Sequence, residues 1–205
     1  MNKFLVITIL VFFPVFAFAQ DTTDIKPSWE GSANIGLYFF RDDFIAMPVI
    51  QFDKNRFHLE ARYNYESKET FPFWGGYNFS GGNKLEYEFT PIIGIVTGEV
   101  DGIAPGLETT LGFRNFEFYS ESEYIFDFNN SDNTFFYTWT DLTWSPIEWG
   151  WIGISGQRTH LFDSDVELQH GILAGGGFKN WELTGYWYNP ATKDWYFIVA
   201  ASWSF

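Results

Sequence analysis

The sequence predicts an all-β chain: a transmembrane antiparallel up-and-down β-barrel of about 12 strands, with ten as the alternative. Three observations predict it. Apolar and polar residues alternate with period two over long stretches. Turn-forming residues punctuate the chain at near-regular intervals. The segments between these breaks run to roughly 10–13 residues. That length suits a tilted strand crossing a bilayer, which needs ~9–11 residues, and is about twice the ~5–6 of ordinary sheets.

Alternation is clearest in "RFHLEARYNYE". Phe57, Leu59, Ala61, Tyr63 and Tyr65 share one face; Arg56, His58, Glu60, Arg62, Asn64 and Glu66 share the other. No amphipathic helix repeats this way. "KLEYEFT" repeats the pattern, with Leu85, Tyr87 and Phe89 against Lys84, Glu86 and Glu88. "TWTDLTWS" has no clean face, because Asp141 shares parity with Tyr137 and Trp139. In "WIGISGQRTH" either Ile152, Ile154, Arg158 and His160 face together, or Trp151, Ser155 and Gln157 do.

The breaks form two alternating sets. Tight, Asn-rich turns fall at 53–55, 81–83, 114–115, 145–148 and 179–180. Slightly longer, acidic breaks fall at 41–43, 66–69, 98–102, 129–133, 162–165 and 189–194. An up-and-down barrel meets one rim at each set, and an even strand count puts both chain ends on the tight-turn rim. Pro48, Pro72, Pro91 and Pro105 fall inside predicted strands. Proline removes a ladder donor, so bulges or shifted strand ends are expected there.

The composition agrees. Aromatic residues make up 22% of the 205, yet beyond the first twenty no apolar run reaches helix-spanning length. Asn2 and Lys3, the apolar run 4–16 and Ala17-Phe18-Ala19 read as a secretory signal peptide over 1–19, leaving 20–205 as one barrel domain. With 26 Asp and Glu against 12 Lys and Arg, the chain is too acidic to bind nucleic acid. It has no cysteine, which excludes disulfides, thiolate metal sites and thiol catalysis.

The final strand carries Phe197, Val199, Ala201, Trp203 and Phe205 on one face. This ending resembles the C-terminal signature of bacterial outer-membrane β-barrel proteins. The resemblance implies an outer-membrane location, membrane lipid as surroundings, and a last strand read by the barrel-assembly machinery. In lipid no edge is left unpaired, so that strand is expected to close onto the first, near 29–40. Small twelve-stranded barrels of this class include nucleoside and oligosaccharide channels.

If apolar faces point to lipid, the lumen receives Glu60, Arg62, Glu86, Glu88, Glu108, Glu117, Glu121 and Glu123, with Arg56, Lys84 and Arg114 as further bases. Folding about 114–115 sets Glu108 opposite Glu121, a like-charge pair that a hydrated pore with counter-ions tolerates. The expected function is passive passage of small hydrophilic solutes with a mild cation preference. A closed structural or adhesive barrel with a salt-bridged interior is the alternative.

A rim hydrolase is the third reading, drawn from His160, Asp163 and Asp165 in one loop and Asp42 and Asp43 in another. Ser155 and His160 have opposite parity, and the chain has no G-x-S-x-G, H-E-x-x-H or phosphate-loop motif. No enzyme, cofactor or metal is expected. His58 reads as a polar lumen residue beside Glu60, and His170 as an interface or packed histidine. "DFNNSDN" lacks the glycine and distal glutamate of a calcium loop and reads as a turn.

Overall fold

The computed structural model describes residues 28–159 and 168–205. The strands are β1 (Glu30–Phe39), β2 (Phe44–Lys54), β3 (Phe57–Arg62), β4 (Thr70–Tyr77), β5 (Phe79–Gly82), β6 (Glu86–Gly98) and β7 (Gly102–Phe113). Then come β8 (Phe116–Asp127), β9 (Phe135–Ile147), β10 (Gly150–Arg158), β11 (Gln169–Phe178), β12 (Trp181–Tyr188) and β13 (Tyr196–Ser204). β4 and β5 keep one register on β6, Gly76 opposite Ile92 and Phe79 opposite Phe89, so they are halves of one strand. The result is a closed antiparallel barrel of twelve strands. Each strand pairs with its chain neighbours, and β1 pairs with β13. Ten strands, the alternative count, is set aside.

Among the described residues both predicted sets of breaks are present. The tight set lies on the rim that carries Glu30 and Ser204, here the terminal rim. Asn55, Arg114 and Lys179 take left-handed φ there (56–57°). The Asn115 and Asn180 amides donate to the carbonyls of Ser145 and Ser204 on the adjoining strand ends, each at 2.8 Å. The asparagines flagged as turn formers thus tie neighbouring hairpins together. The segment 160–167, with the predicted break at 162–165, lies outside the described residues, as does 1–19.

The prolines thin the ladder. Continuing the registers sets Pro48 opposite Tyr63 and Pro72 opposite Arg62, where regular pairing of β3 with both neighbours ends. With a donor missing on each side, one bond to each neighbour carries on: Tyr63 N–H to the Pro48 carbonyl and Asn64 N–H to the Thr70 carbonyl, each 3.1 Å. Pro91 stands opposite the interruption between β4 and β5. Pairing of β7 with β8 lapses at Ala104 and Pro105 without a change of register. A register shift does occur where β9 meets β10, beside Pro146.

Alternation sets the two faces. Outward lie aliphatic side chains at mid-strand, among them Ile35, Ile93, Leu107, Leu142 and Ile154. Aromatic residues flank them toward the terminal rim (Phe57, Phe113, Phe116, Trp149, Trp181) and toward the loop rim (Phe39, Phe44, Phe126, Trp187, Phe197). A water-soluble monomer rarely exposes more than a few hundred Å² of contiguous apolar surface. An aliphatic band between two aromatic girdles is the outer face of a bilayer-spanning barrel.

The β1–β13 seam runs from Phe39 opposite Phe197 to Ser32 opposite Ser204. Two further bonds of 2.8 Å join Phe205 and Gly31, one in each direction. A Cβ on Gly31 would stand 2.4 Å from the Phe205 ring, so glycine leaves the ring its seat. There it lies 4.8 Å from the Trp203 ring, centroid to centroid. Phe205→Asp removes these ring contacts, about 1 kcal/mol for a half-exposed phenylalanine. Less heat-modifiable, folded barrel is therefore expected on gel electrophoresis of membranes. Wild-type levels would show that the seam does not need the ring.

Candidate functional site

The inward positions form three layers between the terminal rim and the loop rim. At the terminal side the wall is polar and roomy. A cavity of about 310 Å³ is lined by Glu117, Asp141, Thr143, Glu182 and Thr184 among others. A second, of about 400 Å³, is lined by Asn34, Gln51, Glu60, Glu121 and Ser202 among others. Asn34 donates to Ser202 at 2.6 Å, and Ser32 to Gln51 at 3.0 Å.

The middle layer is built on Arg62. Its Nε donates to Glu60. Its Nη1 donates to Glu66 at 3.1 Å, to Glu123 at 2.7 Å and to Glu121. Its Nη2 reaches Glu108 at 3.4 Å. Tyr65 and Tyr119 hydroxyls donate to the second oxygen of Glu121, at 3.2 and 3.0 Å. The guanidinium lies over the Tyr65 and Trp74 rings, at 4.5 and 4.9 Å from their centroids. Trp74 fits because its cross-strand partner is Gly94, where a Cβ would stand 2.6 Å from the indole.

The local sequence explains this convergence. With the ladder thinned at Pro48 and Pro72, the chain leaves it and turns at Asn64, whose φ is +56°. Asn64 is pinned by its backbone bond to Thr70 (3.1 Å), its amide bond to the Ala46 carbonyl (3.3 Å) and its acceptance of the Glu69 N–H (2.7 Å). This turn carries Tyr65 and Glu66 onto Arg62. At its outer edge Lys68 donates to Asp43 at 2.6 Å, and that bond holds the Asp43 carboxyl below its ordinary range.

The third layer, toward the loop rim, is apolar and aromatic. Tyr38, Met47, Val96, Val100, Ile125, Tyr137, Tyr196 and Ile198 are each at most 5% exposed. Gln157 and Gln169 bond the Tyr196 hydroxyl inside this layer. Asp141 accepts from Ser155 and Tyr186 on its terminal side.

The structure places the predicted lumen residues in two groups. Glu60, Arg62, Glu108, Glu121 and Glu123 meet in the middle layer. Glu86, Glu88 and Glu117 share the inward parity but stand exposed near the terminal rim. Arg56, Lys84 and Arg114, expected to balance them in the lumen, lie exposed at the turns. Arg62 is the one buried Lys or Arg among the described residues. Glu108 does pair with Glu121 in register. Arg62, on a third strand, bonds both of them.

The rule that apolar faces point outward fails at Tyr137 and Trp139, which point inward with Asp141. The misplaced Asp141 was the signal for this. Inward on β10 are Ser155 and Gln157, with Ile152 and Ile154 outward. Glu66 shared the polar parity of Arg62 and joins it. Tyr65, read onto the apolar outer face, turns inward to Glu121 because it lies in the 63–69 turn, where parity no longer fixes direction. Trp74 carried no periodic sign of its role. His170 is exposed on the outer face. His58 is buried; its Nδ1 lies 3.0 Å from Asp53, and its Nε2 faces Glu60 and Glu108. Asp127 accepts from the Asn129 and Asn130 N–H groups and the Asn133 amide, which closes the 127–133 turn on itself.

No protein-family model and no curated protein sequence matches the chain. Solved structures are similar, two porins among them. One, described as "KdgM porin", has 14% identity and a TM-score of 0.63, and the match covers 85% of this chain and 99% of that one. The other, "KdgM porin in complex with disordered oligogalacturonate", has 13% identity and a TM-score of 0.64 over the same shares. The likeness is one of fold.

Arg62→Met leaves five carboxylates without their shared partner. Removing one side of a buried ion cluster costs about 3–5 kcal/mol. Urea unfolding in lipid vesicles should show a loss of that size. Arg62→Lys should recover only part of it, because an ammonium lacks the guanidinium fork. A loss under about 1 kcal/mol for Arg62→Met, the range of exposed pairs, would show that the cluster contributes little to stability.

Proposed function

We propose that this chain is an outer-membrane channel for passive passage of small hydrophilic solutes, narrowed at the Arg62 layer. One observation carries the reading: a closed twelve-stranded barrel with an apolar outer belt encloses polar cavities that lead from the terminal rim to Glu60 and Glu121. Twelve strands lie between eight, which side chains fill, and sixteen, which leave an open channel. The fold likeness to porins supports the same reading.

The neighbour's oligogalacturonate is a polyanion, and this interior is unsuited to one. The single buried guanidinium is already shared among carboxylates, while Glu117, Asp141 and Glu182 line the cavity nearer the terminal rim. The solutes proposed are neutral or cationic, with a mild cation preference from the field of the surplus carboxylates. The proposal extends to assembly: residues 1–19 direct export, and Phe197, Val199, Ala201, Trp203 and Phe205 form the strand the assembly machinery reads. The Phe205→Asp experiment bears on that part as well.

A second reading, the closed structural or adhesive barrel, is favoured by the apolar third layer and by the burial of the Arg62 cluster. The rim-hydrolase reading gains no site: Asp43 is paired with Lys68, and His160, Asp163 and Asp165 lie outside the described residues.

Purified protein in a planar bilayer should conduct, with a reversal potential under a salt gradient that marks cation preference. Glu108→Gln with Glu121→Gln should weaken the preference. Salt near 1 M should mask it, since the Debye length falls to about 3 Å. A barrel that inserts without conducting would sink the channel and favour the closed reading.

A further inference from the structure

Glu60 lines the second terminal-side cavity, His58 and Glu108 stand beside it, and none of the three takes part in the outer face or the third layer. Each offers one ligand atom, and the three atoms lie within 4.8 Å of one another. His58 Nε2 is 3.7 Å from Glu60 Oε2 and 4.0 Å from Glu108 Oε2. His58 is 5% exposed, and its buried Nε2 has no hydrogen-bond partner. A buried imidazole nitrogen aimed between two carboxylates, with nothing to bond, is a group waiting for a ligand.

We propose that His58, Glu60 and Glu108 bind a zinc-class divalent cation. Imidazole nitrogen with carboxylate oxygen suits zinc and its transition-metal neighbours, and three protein ligands leave a fourth position for water or solute. A tetrahedral ion with bonds of ~2.0–2.2 Å holds its ligand atoms roughly 3.3–3.6 Å apart. The two His58 separations, 3.7 and 4.0 Å, are near that range, and Glu108, whose side chain is 12% exposed, is the ligand with room to move toward it.

The surroundings fit. Asp53 Oδ1 lies 3.0 Å from His58 Nδ1, so it fixes the tautomer that presents a bare Nε2. Carboxylates behind ligating histidines do this at metal sites generally. Glu60 Oε2 also accepts from the Gln51 amide, and Glu60 Oε1 and Glu108 Oε1 accept from Arg62. A carboxylate oxygen has a second lone pair, and among the described residues Glu108 Oε2 accepts no hydrogen bond, so the ion displaces no partner there. Five carboxylates on one guanidinium leave a buried surplus of negative charge, which a divalent cation offsets. Entry is through the cavity that runs from Glu60 to Ser202 near the terminal rim.

The test uses the full chain, refolded in detergent and stripped with a chelator, titrated with zinc chloride by calorimetry and followed by Tm. One equivalent should bind and raise Tm. His58→Ala and Glu108→Gln should each abolish that equivalent. Asp53→Asn should weaken it by about 10–100-fold, as outer-shell changes do. His160→Ala, which removes the histidine of the 160–167 segment, should leave it intact. If either ligand variant fails to refold, the other variant and Asp53→Asn decide the question. No zinc binding by the wild type, or an equivalent that survives both ligand variants, overturns the proposal. So does an equivalent lost only in His160→Ala. None of these outcomes depends on whether the barrel conducts.

Discussion

Arg62 sits inside a sealed wall of backbone hydrogen bonds, and five glutamates from three strands and one loop reach it. A guanidinium taken out of water is costly unless every donor finds an acceptor. Here Nε, Nη1 and Nη2 all do, and two aromatic rings cover its faces. The same holds in reverse for the carboxylates, which would repel one another without it. Glu108 and Glu121 stand opposite on adjoining strands only because a third strand places a cation between them. The register of β7 on β8, the inward fold of the 63–69 loop and the width of the interior all depend on that contact.

The cluster also divides the interior. On the terminal side, Glu60, Asp141 and Glu182 keep the cavities polar. On the loop side the layer is apolar and aromatic, with Gln157, Gln169 and the Tyr196 hydroxyl bonded to one another. A solute entering at the terminal rim meets carboxylates first and a neutralised arginine next. That order is what the proposal of neutral or cationic solutes rests on.

Much of the fold was legible because a barrel wall repeats one physical rule. Period-two alternation at 57–66 gave the inward His58, Glu60 and Arg62. Asparagine turns at 114–115 and 179–180 fall where they were read. The 145–148 break was read three residues early, because Pro146 lies inside β9 beside a bulge rather than in the turn. Facing failed where the interior is itself apolar. Tyr137 and Trp139 are as hydrophobic as lipid-facing residues, and alternation alone cannot say which side is the inside. The lumen bases failed for a related reason. Arg56, Lys84 and Arg114 have inward parity, yet they lie in the turns, where parity no longer fixes direction. The role of Pro48 and Pro72 was visible only as a conflict with strand character. Their effect, thinning the ladder just before the turn that brings Glu66 onto Arg62, needs the register of three strands.

The central claim is that Arg62 and the glutamates act as one unit. A double-mutant cycle between Arg62→Met and Glu121→Gln, read by urea unfolding in lipid vesicles, tests it most directly. The account predicts that the double variant is destabilised less than the two singles together, by about 1–3 kcal/mol. Additivity to within about 0.5 kcal/mol would contradict it.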